Sequence, residues 1–217
     1  MKEMFLFYLG NEWGGSFQQA HHTLPIAISI GTQLQHATGI GYSVRYRKKD
    51  ETVFTFIGDG GTSEGDFSEA LNFAGVWQVP VIFTIQNNQY AISVPVQKQT
   101  NSLNLAVKSV AFGIPGIKVD GNDFFAMYLA YKTAAEHARL GGGAVLIEAL
   151  TYRLGAHTTS DDPSKYRKKE EEQLWGKSDP LIRLKRYMQD AGIWSIDEEK
   201  LREQYKAEID REFTEAE

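Results

Sequence analysis

Residues 56–67 read FIGDGGTSEGDF. An apolar segment, Val53 to Ile57, runs into Gly58-Asp59-Gly60, and the residues that follow, SEALNFAGVW (68–77), carry apolar side chains at helical spacing. A buried strand therefore ends on a glycine-flanked carboxylate at the threshold of a helix. A second apolar run, 79–86, ends on Asn87-Asn88. A lone GDG or a lone NN is ordinary turn chemistry. Two such motifs at the ends of two apolar runs are more specific, because in an open parallel sheet ligands gather beyond the carboxyl ends of the strands.

If the two strands are neighbours, Asp59 and Asn88 converge. A carboxylate, an amide oxygen and a main-chain carbonyl are hard oxygen ligands suited to Mg2+ or Ca2+, and magnesium commonly shares its shell with phosphates. Gly58, Gly60 and Gly61 let the backbone approach closely, with N–H groups near a helix N-terminus able to face an anion. Together these parts describe a metal–diphosphate site. There is no G-x-x-x-x-G-K-[ST] and no G-x-G-x-x-G opening a helix, so the common nucleotide fingerprints are absent.

Outward from this core, short apolar strands alternate with helical segments. A mostly helical, small-residue segment covers 25–47, followed by strand 53–57, a helix from about 64 to 77 and strand 80–86. Further along come a helix over 103–112, strand 117–120, a helix over 124–140 capped by Asn122 or Asp123, and strand 144–150. This alternation predicts an α/β fold: a doubly wound, mainly parallel sheet with flanking helices, plus a C-terminal helical tail. The domain reading is 1–153 for the α/β domain, 154–167 for a polar loop long enough to suspect of function, and 168–217 for a charged helical extension. Leu181, Leu184, Tyr187 and Met188 form a stripe expected to pack.

Composition narrows the function classes. The 217 residues are 42% hydrophobic and 24% charged, which permits an ordinary core. A formal net charge of −5 without a basic stripe argues against a nucleic-acid partner. Absence of cysteine excludes disulfides, thiolate zinc ligands and a thiol nucleophile. The apolar run Met4 to Leu9 is broken by Asn11-Glu12 and does not read as a signal peptide, and no run approaches the roughly 20 residues of a membrane span. A soluble, cytoplasmic protein with no membrane partner is expected. Among the histidines, His21-His22, His36 and His137 read as structural or exposed. His157 differs, following a strand end by four residues inside the polar loop. Asp161 and Asp162 are expected to order that loop by pairing with Arg153 or Arg167.

GDGGTSEGDFSEALNFAGVWQVPVIFTIQNNQYAISVPVQKQ (58–99), IPGIKVDGND (114–123), VLIEALTYRLGAHTTSDDPSKYR (145–167) and KSDPLIRLKRYM (177–188) resemble, in this order, the alpha subunits of thiamine diphosphate-dependent 2-oxo acid dehydrogenases. The resemblance runs from about Met4 to the end and implies the thiamine diphosphate-binding fold. It implies that Asp59, Asn88 and the carbonyl of Tyr90 hold Mg2+, and that Gly60 and Gly61 donate main-chain N–H groups to the diphosphate. Ile28 and Ile30, in LPIAISIGTQ (24–33), would touch the aminopyrimidine. His157 would reach the diphosphate and the reacting end, and Arg153 would help order the loop. Thr158 and Ser160 fall where some relatives are phosphorylated.

The implied activity is oxidative decarboxylation of a small 2-oxo acid with acyl transfer to a lipoyl-bearing acyltransferase component. The substrate would be pyruvate, with a branched-chain 2-oxo acid or a non-catalytic assembly remnant as alternatives. The implied partner is a beta subunit in an α2β2 heterotetramer. That partner supplies a glutamate for the aminopyrimidine, and a Tyr-Arg pair upstream of the matched region holds the diphosphate. The resemblance thus implies a chain truncated at its N-terminus and inactive alone. It also implies that loop 154–167, poor in apolar residues, takes its order from charge pairing and ligand.

Overall fold

The computed structural model describes residues 1–17, 22–26 and 28–217. His21 lies outside the described residues. The chain divides into two compact units, Ser29–Tyr187 and Met1–Ile28 with Met188–Glu217.

The N-terminal α1 (Lys2–Tyr8) belongs to the smaller unit; the larger unit contains α2 (Thr32–Tyr46), then β1 (Val53–Gly58), α3 (Gly65–Trp77), β2 (Val81–Asn87) and a small hairpin, β3 (Tyr90–Ala91) with β4 (Val94–Pro95). It continues through α4 (Val96–Gln99), β5 (Gly116–Asp120), α5 (Phe124–His137), β6 (Val145–Leu150), α6 (Lys169–Gly176) and most of α7 (Pro180–Asp190). Four strands form one parallel sheet in the order β1-β2-β6-β5, with Val53 opposite Val81, Ile82 opposite Val145 and Gly116 opposite Leu146. β1 leads to β2 in one direction across the sheet and β5 leads to β6 in the other. Right-handed crossovers then put the intervening helices on opposite faces.

Two cores result. On one face Leu34 and Ala37 of α2 and Phe67, Ala70, Leu71 and Ala74 of α3 pack on Ile57, Val81, Phe83, Ile85 and Leu146. On the other, Ala130, Ala134 and Ala135 of α5 pack on Ile82, Val145 and Ile147. Alternate residues of β2 feed opposite cores, as the two-residue period of a strand demands. Small residues bring α2 close: a Cβ on Gly41 would sit 2.5 Å from a Val81 methyl.

The structure corrects some sequence expectations and refines others. The segment expected to be helical from residue 25 becomes helix only at Thr32, because Gly31 adopts φ 94°, outside helical space. Residues 103–112 hold a 3-10 helix, Ala106–Phe112, whose first N–H groups are capped by the buried Glu148: Leu105 and Ala106 N–H donate to its Oε2 at 2.8 and 2.9 Å. Asp123, rather than Asn122, caps α5 by accepting the Ala126 N–H at 3.0 Å. The tail is three helices, interrupted after Gly176 and again near Gly192, where φ is 69°. Leu181, expected to pack, is 75% exposed. Tyr187, although 53% exposed, meets Phe125 edge-on.

In the smaller unit, α1 meets α8 (Glu198–Thr214) through an edge-to-face contact of Phe5 with Phe213. The Lys2 N–H donates to Glu212 at 3.0 Å. Among the described residues, no helix is long and apolar enough to cross a membrane.

Candidate active site

β1 and β2 are adjacent and parallel, with Gly58 opposite Gln86. The residues just past their ends therefore meet. Asp59 leads out of β1 into the 3-10 turn Gly60–Ser63, and α3 starts two residues later. The Asn88 N–H donates to Asp59 Oδ1 at 3.2 Å, which brings the two sequence motifs together. Asn88 Oδ1 accepts the Tyr90 N–H at 3.2 Å, so carboxylate, amide and the Tyr90 backbone form one short chain of contacts.

Asp59 is buried, only 1% exposed, and its Oδ2 accepts from Gln99 Nε2 at 2.9 Å. Burial pushes its carboxyl above the ordinary range. The hydrogen bonds from Gln99 and the backbone, and the more distant Arg153 guanidinium, oppose that rise without cancelling it. Among the described residues, no cationic side chain forms an ion pair with it. A desolvated carboxylate held by two neutral donors, beside an amide oxygen, suits a small hard cation. Among the described residues no cluster of three or more His, Cys, Asp and Glu side chains could hold a metal. The candidate donor set contains only one carboxylate.

The two glycines past Asp59 are fixed by space. A Cβ on Gly60 would lie 2.6 Å from the Ala91 Cβ of the hairpin. One on Gly61 would lie 2.5 Å from Ile57 Cδ1 and 3.2 Å from Ile30 Cγ2. The N–H groups that open a helical turn have no carbonyl of that turn behind them, which leaves this backbone suited to an anion. Behind the turn, Lys108 Nζ donates to the Thr62 carbonyl at 3.0 Å and to Thr62 Oγ1 at 2.8 Å, and Thr62 Oγ1 donates to the Asp59 carbonyl at 2.8 Å. Burial lowers the Lys108 pKa.

Ile30 thus lies against the turn, though 63% exposed, whereas Ile28 is 89% exposed and belongs to the other unit. Arg153, three residues past β6, donates from Nη1 to the Tyr90 carbonyl at 3.1 Å and from Nη2 to the Ile92 carbonyl. The Tyr90 carbonyl retains a second lone pair for a cation.

Loop 154–167 is held by a chain of side chains. Arg153 Nη2 donates to the Tyr166 hydroxyl at 3.0 Å, and that hydroxyl donates to Asp161 Oδ2. Asp161 Oδ2 also accepts the His157 N–H at 2.8 Å. The Tyr166 hydroxyl and the His157 N–H hold the Asp161 carboxyl below its ordinary pKa. The expected direct pairing of Asp161 or Asp162 with Arg153 or Arg167 is therefore corrected. Tyr166 stands between Asp161 and Arg153, and Asp162 turns back to cap Ser164 and meet Lys165 at 3.8 Å. Arg167, nearly fully buried, donates to the carbonyls of Arg153, Leu154 and Gly155 and pairs with Glu172 at 2.8 Å. The His157 side chain is exposed, as are His22 and His36, while His137 binds the Gly142 carbonyl.

Gln99, Lys108 and the bridging Tyr166 hydroxyl were not foreseen. Each reaches the site from a distant segment by a side-chain amide, ammonium or phenol, and no local spacing marks such a residue.

The family model of the dehydrogenase E1 component matches residues 1–217. The pyruvate dehydrogenase E1 component subunit alpha of Acholeplasma laidlawii is 50% identical over 219 residues, covering 100% of this chain and 64% of that protein. The 3-methyl-2-oxobutanoate dehydrogenase subunit alpha of Mycobacterium tuberculosis is 47% identical over 196 residues, 90% of this chain and 53% of that protein. The pyruvate dehydrogenase E1 component subunit alpha of Staphylococcus aureus is 44% identical over 218 residues, 100% and 59% respectively. The chain spans between half and two thirds of the length of these curated relatives. With the strand-end site and a match over its whole length, the chain belongs to the dehydrogenase E1 component family.

Proposed function

We propose that this chain is the cofactor-anchoring part of a 2-oxo acid dehydrogenase alpha subunit, acting on pyruvate with thiamine diphosphate and Mg2+. The observation that carries the reading is the buried Asp59 carboxylate, without a cationic side-chain partner among the described residues, bonded to the Asn88 N–H at the ends of two adjacent parallel strands. Asp59, Asn88 and the Tyr90 carbonyl would hold Mg2+, and the Gly60 and Gly61 N–H groups the diphosphate. Ile28, through its backbone, and Ile30 would meet the aminopyrimidine. Residues 1–153 form the binding domain in this reading, 154–167 its active-site loop and 168–217 a helical extension.

When bound, thiamine diphosphate supplies the carbanion and electron sink for decarboxylation. The chain's own residues then bind, orient and move protons. His157, on a loop tied to the site through Asp161, Tyr166 and Arg153, would offer a hydrogen bond or a proton during acyl transfer. The partners in this reading are a beta subunit in an α2β2 assembly and a lipoyl-bearing acyltransferase component, in the cytoplasm. A branched-chain substrate is the second reading, favoured by the 47% identity to the mycobacterial subunit.

The test is a steady-state assay of the chain assembled with a beta subunit, using an artificial electron acceptor. Turnover of pyruvate with kcat/KM at least tenfold above that for 3-methyl-2-oxobutanoate supports the pyruvate reading, and the opposite ratio supports the branched-chain one. The chain alone is expected to turn over neither. No activity toward either acid in an assembled complex that binds the cofactor would contradict both.

A further inference from the structure

Asp59 is aimed by a residue forty positions away. Gln99 closes the short helix α4 and sends its Nε2 to Asp59 Oδ2 at 2.9 Å and to the Val94 carbonyl at 3.2 Å. Its Oε1 faces the Gly60 turn, 3.8 Å from where a Cβ on that glycine would be. The amide is thus fixed at both ends of its donor side, and the Asp59 carboxylate is clamped between it and the Asn88 N–H.

We infer that Gln99 is a positioning residue for the cation site: it fixes the rotation of the Asp59 carboxylate so that one lone pair of each oxygen stays directed at the site. The inference rests on the reading of Asp59 as a metal ligand. A carboxylate in a buried pocket with only the Asn88 N–H to hold it would turn about its terminal torsion, which has a broad energy profile. Gln99 narrows that freedom and supplies part of the solvation the carboxylate lost on burial. It donates to the carboxylate without neutralising it, so the net charge offered to a cation is retained. Lysine at this place would cancel the charge, and a carboxylate would compete for the ion. Supporting partners of metal ligands typically alter affinity by about 10- to 100-fold when removed.

The experiment titrates Mn2+ into the complex of this chain with a beta subunit in the presence of thiamine diphosphate. Free ion is followed by its electron paramagnetic resonance signal. Gln99→Met keeps the length of the side chain and removes the donor, and Gln99→Ala removes both. Asp59→Asn serves as the control. The inference requires Mn2+ affinity to fall about tenfold or more in both Gln99 variants, with the ligand-free thermal midpoint of Gln99→Met within a degree or so of the parent. If alanine lowers that midpoint, the methionine variant decides. Affinity within twofold of the parent in Gln99→Met, with binding abolished by Asp59→Asn, would overturn the role of Gln99 and leave the site standing. Unchanged affinity in Asp59→Asn would remove the site itself, and the inference with it.

Discussion

At Asp59 the cost of burial carries its own pH signature. Burial holds its folded-state carboxyl above the ordinary value. The folded state then binds the proton more tightly than the unfolded one, and stability contributed by this group falls as pH rises through that interval. Above the folded-state value the cost of burying the charge is fully present. Asp59→Asn should therefore raise the thermal midpoint of the cation-free protein at pH 7, because the neutral amide has no charge to desolvate. The gain over the parent should shrink as pH falls toward the ordinary aspartate range. Thermal unfolding of both proteins across that range checks it, and a midpoint unchanged or lowered at pH 7 would contradict the account. Tyr152 offers a second residue-scale case. Its hydroxyl is buried without a hydrogen-bond partner among the described residues, its pKa is pushed up to about 12 chiefly by burial, and its ring stacks on Trp175 at 5.4 Å. Tyr152→Phe keeps the stack and removes the orphaned group, so it should be neutral or stabilise by about 1 kcal/mol in denaturant unfolding. Tyr152→Ala, which removes the ring, should cost about 3–5 kcal/mol.

Among the elements, loop 154–167 carries the clearest mechanical claim. Its apolar content is small, so its geometry depends on polar links: Arg153 to Tyr166 to Asp161 to the His157 backbone, and Arg167 to three carbonyls. Tyr166→Phe removes the hydroxyl that joins Arg153 to Asp161. Tryptic cleavage after Lys165 in the assembled complex should then speed up several-fold, with little change in global stability, because the hydroxyl touches neither core. An unchanged cleavage rate would mean the link does not hold the loop. The strands and most helices of the sheet were readable in the sequence because each is short, apolar and bounded by turn residues. Val81–Asn87 and Val145–Leu150 are two such runs. The segment before Thr32 was not, because its apolar spacing looks helical until Gly31 turns to positive φ. The meeting of Asp59 with Asn88 was legible as a consequence of adjacent parallel strands. The links through Gln99, Lys108 and Tyr166 were not, since tertiary packing alone brings those side chains near.

For the whole molecule, the sheet order determines where chemistry can sit. β1 and β2 are neighbours, and β6 follows on the other side of β2, so Asp59, Asn88 and Arg153 all leave the carboxyl ends of three consecutive strands. Asp59 Oδ1 binds the Asn88 N–H, and the Arg153 guanidinium reaches the Tyr90 carbonyl just beyond. One end of the sheet thus carries a buried carboxyl, a glycine turn suited to a phosphate, and the loop that bears His157. In the proposed function this end would hold a diphosphate through a divalent cation. Isothermal titration of thiamine diphosphate into the chain assembled with a beta subunit tests it most directly. Binding should be tight with Mg2+, at least about 100-fold weaker with a chelator, and not recovered on adding Mg2+ to Asp59→Ala. Equal affinity with and without Mg2+, or an unchanged affinity in Asp59→Ala, would contradict it.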